Sequence, residues 1–124
     1  MESTYQDVME RLKNLLPKRW KRVVFYAEYT SNSYSMKYYV DTGDGTYTDC
    51  FRQAGISDRK LERAFTDIYR ILEPIRAELP ASRRWTVLTL HVDGNGKCRA
   101  DYDYGKHDKS LISWETAWKR KYLK

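Results

Sequence analysis

Cysteine, histidine, proline and glycine are all scarce in this 124-residue chain, and each shortage closes a route to function. The two cysteines, Cys50 and Cys98, cannot make a disulfide framework. Both fall in predicted strands, where a free cysteine behaves as a small buried hydrophobe. The two histidines, His91 and His107, lack a partner at the helical spacing of a zinc-binding pair. No ligand spacing joins them to the cysteines either. His107 could pair with Asp101 or Asp103 for acid–base work, but a solvated histidine in a basic loop is the commoner case. Gly94-Asn95-Gly96 is too short for a phosphate-cradling loop and precedes a strand rather than a helix. Asp41, Asp44 and Asp49 do not match the calcium-loop spacing. No apolar run approaches the length of a membrane span or of a secretory core. The expectation is a cytoplasmic, reduced protein with no catalytic residue, no metal and no cofactor.

What is present describes a folded domain. A chain of 124 residues with 41% hydrophobic and 32% charged residues is long enough for one core and too apolar to be disordered. A single domain over residues 1–124 is expected. Eleven tyrosines and four tryptophans suit half-buried sheet faces, and they also suit contact surfaces. The net charge of +6 is unevenly placed. Residues 1–50 sum to zero, 51–82 to +1 and 83–124 to +5. Such an excess could attract nucleic acid or an acidic protein surface, or simply form a solvated face.

Periodicity orders the elements. Tyr5, Val8, Met9, Leu12, Leu15 and Leu16 mark a first amphipathic helix, with Ser3 and Gln6 spaced as a capping box and Pro17 as its stop. Lys18-Arg19-Trp20-Lys21-Arg22 reads as a helix–strand junction whose indole anchors into the core, in preference to a nucleic-acid contact. Val23–Thr30 and Tyr34–Thr42 alternate as strands around a Ser31-Asn32-Ser33 turn. Tyr47–Phe51 reads as a third strand. Ser57 caps a second helix carrying Leu61, Phe65, Ile68, Leu72, Ile75 and Leu79 on one side. Pro74 predicts a kink in it and Pro80 its end. Trp85–Tyr104 reads as a hairpin turning at Asp93-Gly94-Asn95-Gly96. A third helix follows, with Leu111, Trp114, Trp118 and Tyr122 on one side and a basic last turn that suits the helix dipole. The order α-β-β-β-α-β-β-α predicts an α+β two-layer sandwich: a mostly antiparallel five-stranded sheet with the helices packed on one face.

That arrangement leaves the other sheet face open. Its outward rows, Tyr26 and Glu28, Lys37, Tyr39 and Asp41, and Lys97, Arg99, Asp101 and Asp103, mix aromatic anchors with charges of both signs. Protein interfaces use such mixtures, with aromatic residues carrying energy and charges setting register. Tyr26, Glu28, Tyr39, Asp41, Arg99, Asp101, Asp103 and Tyr104 are therefore the candidate contact residues. The alternative is a small basic nucleic-acid-binding domain that uses the C-terminal third and the sheet aromatics.

Particular motifs add a resemblance. W-T-V-L-T-L-H-V-D-G-N-G-K (Trp85 to Lys97), D-Y-D-Y (Asp101 to Tyr104) and W-K-R-K-Y-L (Trp118 to Leu123) occur in order. Before them, a helix ends in Leu16-Pro17, and Trp20 precedes the strand F-Y-A-E (Phe25 to Glu28). In these features the chain resembles the YezG-like antitoxin family, the immunity proteins of bacterial polymorphic toxin systems. The resemblance implies a non-enzymatic inhibitor that binds a cognate toxin domain, often a nuclease, inside the producing cell. Two departures stand out: Gly105 follows the Tyr-x-Tyr where the family often has an acidic residue, and the chain is basic where the family tends to be acidic. A protein of this charge could imitate nucleic acid only through a local patch such as Glu28, Asp41, Asp101 and Asp103. Otherwise it would bind outside the toxin's active site, or meet an acidic toxin surface.

Overall fold

The computed structural model describes residues 2–30, 33–53, 55–104 and 111–123. The Ser3 side chain of the expected capping box, Ser31 and Asn32 of the first turn, Gly105 and His107 lie outside this description. The elements are α1 (Glu2–Lys13), β1 (Arg22–Tyr29), β2 (Tyr34–Asp41), β3 (Thr48–Asp49), α2 (Asp58–Glu78), β4 (Val87–Asp93), β5 (Cys98–Asp103) and α3 (Leu111–Tyr122). Short 3-10 turns at Cys50–Arg52 and Ala81–Arg83 flank α2. The fold is α+β in the expected order. Its antiparallel sheet runs β3-β2-β1-β4-β5, so α2 carries the chain from one edge back to the centre.

Local chemistry sets the boundaries. The last turn of α1 tightens as Leu15 N donates to Leu12 O at 2.9 Å before Pro17. Ser57 caps α2, its hydroxyl accepting from Lys60 N at 3.2 Å, and the helix continues through Pro74 to Glu78. β3 is shorter than the expected Tyr47–Phe51. Asp49 Oδ1 accepts from Phe51 N at 2.9 Å and starts the 3-10 turn, which bends the chain out of the sheet. In the β4–β5 turn, Asp93 Oδ1 accepts from Asn95 N at 2.9 Å and Lys97 N at 3.0 Å. Gly96 there takes φ +88°, a left-handed conformation that an L side chain resists.

One sheet face carries the main core. Phe25, Ala27, Tyr38, Val40, Leu88 and Leu90 meet Val8 and Leu12 of α1 and Leu61, Phe65, Ile68 and Leu72 of α2. Burying an aliphatic or aromatic side chain stabilises by about 1.5–3 kcal/mol, so this layer supplies most of the driving force. Tyr38 donates its hydroxyl to Gln53 Oε1 at 2.6 Å, and Gln53 Nε2 donates to Leu15 O at 2.6 Å. These bonds tie the end of α1 to the sheet.

The expected placement of all helices on one face does not hold. α3 packs on the opposite face, where Trp118 and Tyr122 form a second cluster with Val24 and Tyr39. The molecule has three layers, with α1 and α2 on one side and α3 on the other. Physically, β1 and β4 are apolar on both sides: Val23 and Val24 are each buried, as are Val87, Leu88, Thr89 and Leu90. A central strand of that kind needs cover on both faces. Cys50 is buried as expected, but Cys98 is exposed. It points to the α1 face opposite Val92, yet at the end of an edge strand, where a hollow beside α1 leaves it open.

Candidate functional site

The α3 face of the sheet holds most of the polar and aromatic residues of interest, and α3 divides it in two. Over its N-terminal half, Trp114 Nε1 donates to Tyr26 Oη at 2.9 Å. Trp118 Nε1 donates to Thr89 Oγ1 at 3.0 Å, and its ring meets Tyr26 edge-on at 4.9 Å. Glu115 lies 3.4 Å from both Lys37 and Lys119. Burial works against ionising Glu115, but the two lysines outweigh it and hold the carboxyl below its ordinary range. What remains open here is a small hollow of about 150 Å³, with Glu28 and Lys37 at its rim.

Beyond the C-terminal half of α3 the sheet is less covered. A groove of about 690 Å³ runs between Tyr122 and the β4–β5 end of the sheet. Its floor includes Val24, Val92 and His91, its aromatic walls are Tyr47 and Tyr122, and Arg22, Lys97, Arg99 and Lys121 stand around it. His91 lies against the Tyr122 ring at 5.1 Å, and its Nε2 is 3.7 Å from Asp101 Oδ2, too far for a hydrogen bond. Burial pushes its pKa below the ordinary value, Arg99 pushes it the same way, and Asp101 opposes them. The groove floor is therefore neutral at neutral pH.

The candidate contact residues divide accordingly. Tyr26 is half-buried beneath the two indoles, and Tyr39 is only 5% exposed against Trp118. Asp41 is 1% exposed: it pairs with Arg22 Nη2 at 2.7 Å and accepts from Gly43 N at 2.7 Å. All three serve the interior. Glu28 stays at the rim of the small hollow, while Arg99, Asp101, Asp103 and Tyr104 follow one another on the edge strand β5 and just beyond it. Arg99 has a 69% exposed side chain, and Tyr104 is 53% exposed. Asp101 lies 3.9 Å from Arg99 Nη2, so the acidic patch foreseen around it is offset only in part. Arg22, Lys97, Lys121 and Tyr47 were not among the candidates. Arg22 belongs to the basic run 18–22 and Lys97 to an outward row, but strand register and the path of α3, not spacing, bring them together with Tyr47 and Lys121.

Among the described residues no group of three or more His, Cys, Asp or Glu is arranged to hold a metal ion, and no helix is long and apolar enough to cross a membrane. Fold and site together define a small α+β domain that presents a charged, aromatic-walled groove, a surface suited to binding another macromolecule. The family is shown by comparison with known proteins: the model of the family described as Immunity protein YezG-like matches residues 1–124, and the chain belongs to that family of immunity proteins. Immunity protein YezG of Bacillus subtilis (strain 168) is 26% identical over 110 residues, covering 84% of this chain and 73% of that protein. Immunity protein YezG of Bacillus spizizenii is 24% identical over 110 residues, with 84% and 68% covered. The role is thus that of an immunity protein, or antitoxin, and it implies a cognate toxin as partner.

Proposed function

We propose that the chain acts as one domain in the cytoplasm and neutralises a single cognate toxin domain, a nuclease, by binding it directly and without turnover. The observation that carries this reading is the match to an immunity-protein family along residues 1–124. The surface is compatible with it, since Glu28, Arg99, Asp101 and Asp103 remain available on the α3 face and Tyr104 is exposed just beyond β5, and mixed charges beside an exposed aromatic ring make tight, selective contacts. The internal roles of Tyr26, Tyr39 and Asp41 argue against a broad acidic imitation of nucleic acid. Inhibition from outside the toxin's substrate cleft is the mode that fits a basic protein.

The test is co-expression with the toxin domain encoded beside the gene. Rescue of growth together with a complex surviving gel filtration is the expected result. Persistent toxicity with no complex would sink the proposal. Rescue with a complex, by a toxin domain that cleaves neither DNA nor RNA when purified alone, would remove the nuclease assignment alone.

A further inference from the structure

The end of the molecule formed by the β4–β5 turn, the segment before β1 and the last turn of α3 carries a concentration of cations, only part of which is engaged by the described residues. Gly94 lies so close to the main chain before β1 that a Cβ there would meet Lys21 O at 3.4 Å. That approach sets the basic run 18–22 beside Lys97. Two hollows result, about 690 and about 460 Å³, and they share Arg22 and Asp93. Around them stand Arg19, Lys21, Arg22, Lys97, Arg99 and Lys121.

Three of the six charges are engaged by described residues, and one of these, Lys121, holds its ammonium over the Tyr122 ring at 5.1 Å. Arg22 is paired with buried Asp41 at 2.7 Å, and Arg99 reaches Asp101 at 3.9 Å. Arg19, Lys21, Lys97 and Lys121 form no ion pair with any described residue, and all four are exposed. Asp93 is engaged by the main-chain nitrogens of its own turn. Grouped, unneutralised cations repel one another, and their field reaches about 8 Å into solvent at physiological salt.

We propose that this basic end docks an acidic surface of the cognate toxin, which rests on the immunity reading above and assigns its contact. A protein partner fits better than a nucleic acid. Asp93 and Asp101 sit within the groove and would repel a phosphate backbone, whereas a protein can place its own donors against them. Neither aromatic wall offers a free stacking face: Tyr122 is 9% exposed, and the Arg22 guanidinium lies over Tyr47 at 5.3 Å.

The experiment compares wild type with the Lys97→Glu/Lys121→Glu double variant, using the purified toxin domain encoded beside the gene. Surface plasmon resonance at several salt concentrations reads association, and circular dichroism melting confirms an intact fold. The expected result is association slowed roughly tenfold or more at low salt, with a flattened salt dependence. A milder Lys97→Gln/Lys121→Gln variant should fall between the two. Equal kinetics for all three proteins would overturn the docking surface while leaving the immunity role intact. Absence of any wild-type complex would overturn both. Salt-sensitive binding of wild type to mixed-sequence DNA or RNA, lost in the variants while toxin binding is unchanged, would also overturn it and assign the patch to nucleic acid.

Discussion

Trp118→Ala is the substitution that most directly tests the second core. Trp118 is 3% exposed, its ring packs against Tyr26, Tyr39 and Tyr122, and its Nε1 donates to buried Thr89 at 3.0 Å. Truncating a buried aromatic ring costs about 3–5 kcal/mol. A domain of this size has a total stability of roughly 6–18 kcal/mol, so the loss is a large fraction of it. The melting temperature should fall by roughly 10–20 °C, read by far-UV circular dichroism, with urea titration giving the free energy. Trp118→Phe keeps most of the ring and loses only the hydrogen bond, and should cost less. A double-mutant cycle with Thr89→Val should then return a coupling of about 1 kcal/mol. A loss under about 1 kcal/mol for Trp118→Ala would refute the docking of α3 through this ring. It would also return the expected open sheet face to contention.

Gln53→Ala should destabilise by about 1–3 kcal/mol, because it strands the Tyr38 hydroxyl and Leu15 carbonyl that the amide bridges; an unchanged urea midpoint would contradict that bridge. Asp41 is held below the ordinary carboxylate range by Arg22 first and then by the Gly43 amide. A depressed folded-state pKa means that its stabilisation is fully present above the ordinary carboxylate range and is lost as pH falls through the folded value. The stability gap between wild type and Asp41→Asn should therefore narrow on acidification below about pH 4, and a gap that stays constant down to strong acid would refute the pairing. Burial pushes the Cys50 thiol up to about 12, while Cys98 is exposed. A thiol reagent at pH 8 should therefore label one cysteine in the native protein and two in denaturant. Rapid labelling of both in the native state would show that Cys50 is not enclosed.

Much of this architecture is legible in the sequence. The apolar steps of Leu61, Phe65, Ile68 and Leu72 wrote a helix face, and they are its buried residues. The alternation through Leu88, Leu90 and Val92 and the turn at Gly94-Asn95-Gly96 wrote the hairpin, and its register pairs Leu90 with Ala100 and Leu88 with Tyr102. The family likeness, carried by Trp85–Lys97 and its companions, agrees with the match along the chain. Period-two and period-3.6 patterns are local, and short motifs are read residue by residue.

The site was less legible, for a physical reason. Alternation says which residues share a face but not what covers that face. Tyr26 and Tyr39 look alike whether they meet a toxin or Trp118, and only the path of α3 distinguishes the two. Asp41 looked like part of an acidic patch, but the strand pairing that places Arg22 opposite Asp41 turned it inward. The β1–β4 pairing sets Arg22 opposite Asp93, in one groove with Lys97 and Lys121, although as many as 99 positions separate these residues along the chain. What the sequence determined by itself was the set of elements, their inner faces, the overall charge and the family. Tertiary structure alone decided which charges lie together and which are neutralised, because electrostatic interaction depends on distance through space and on burial, and neither is written in sequence separation.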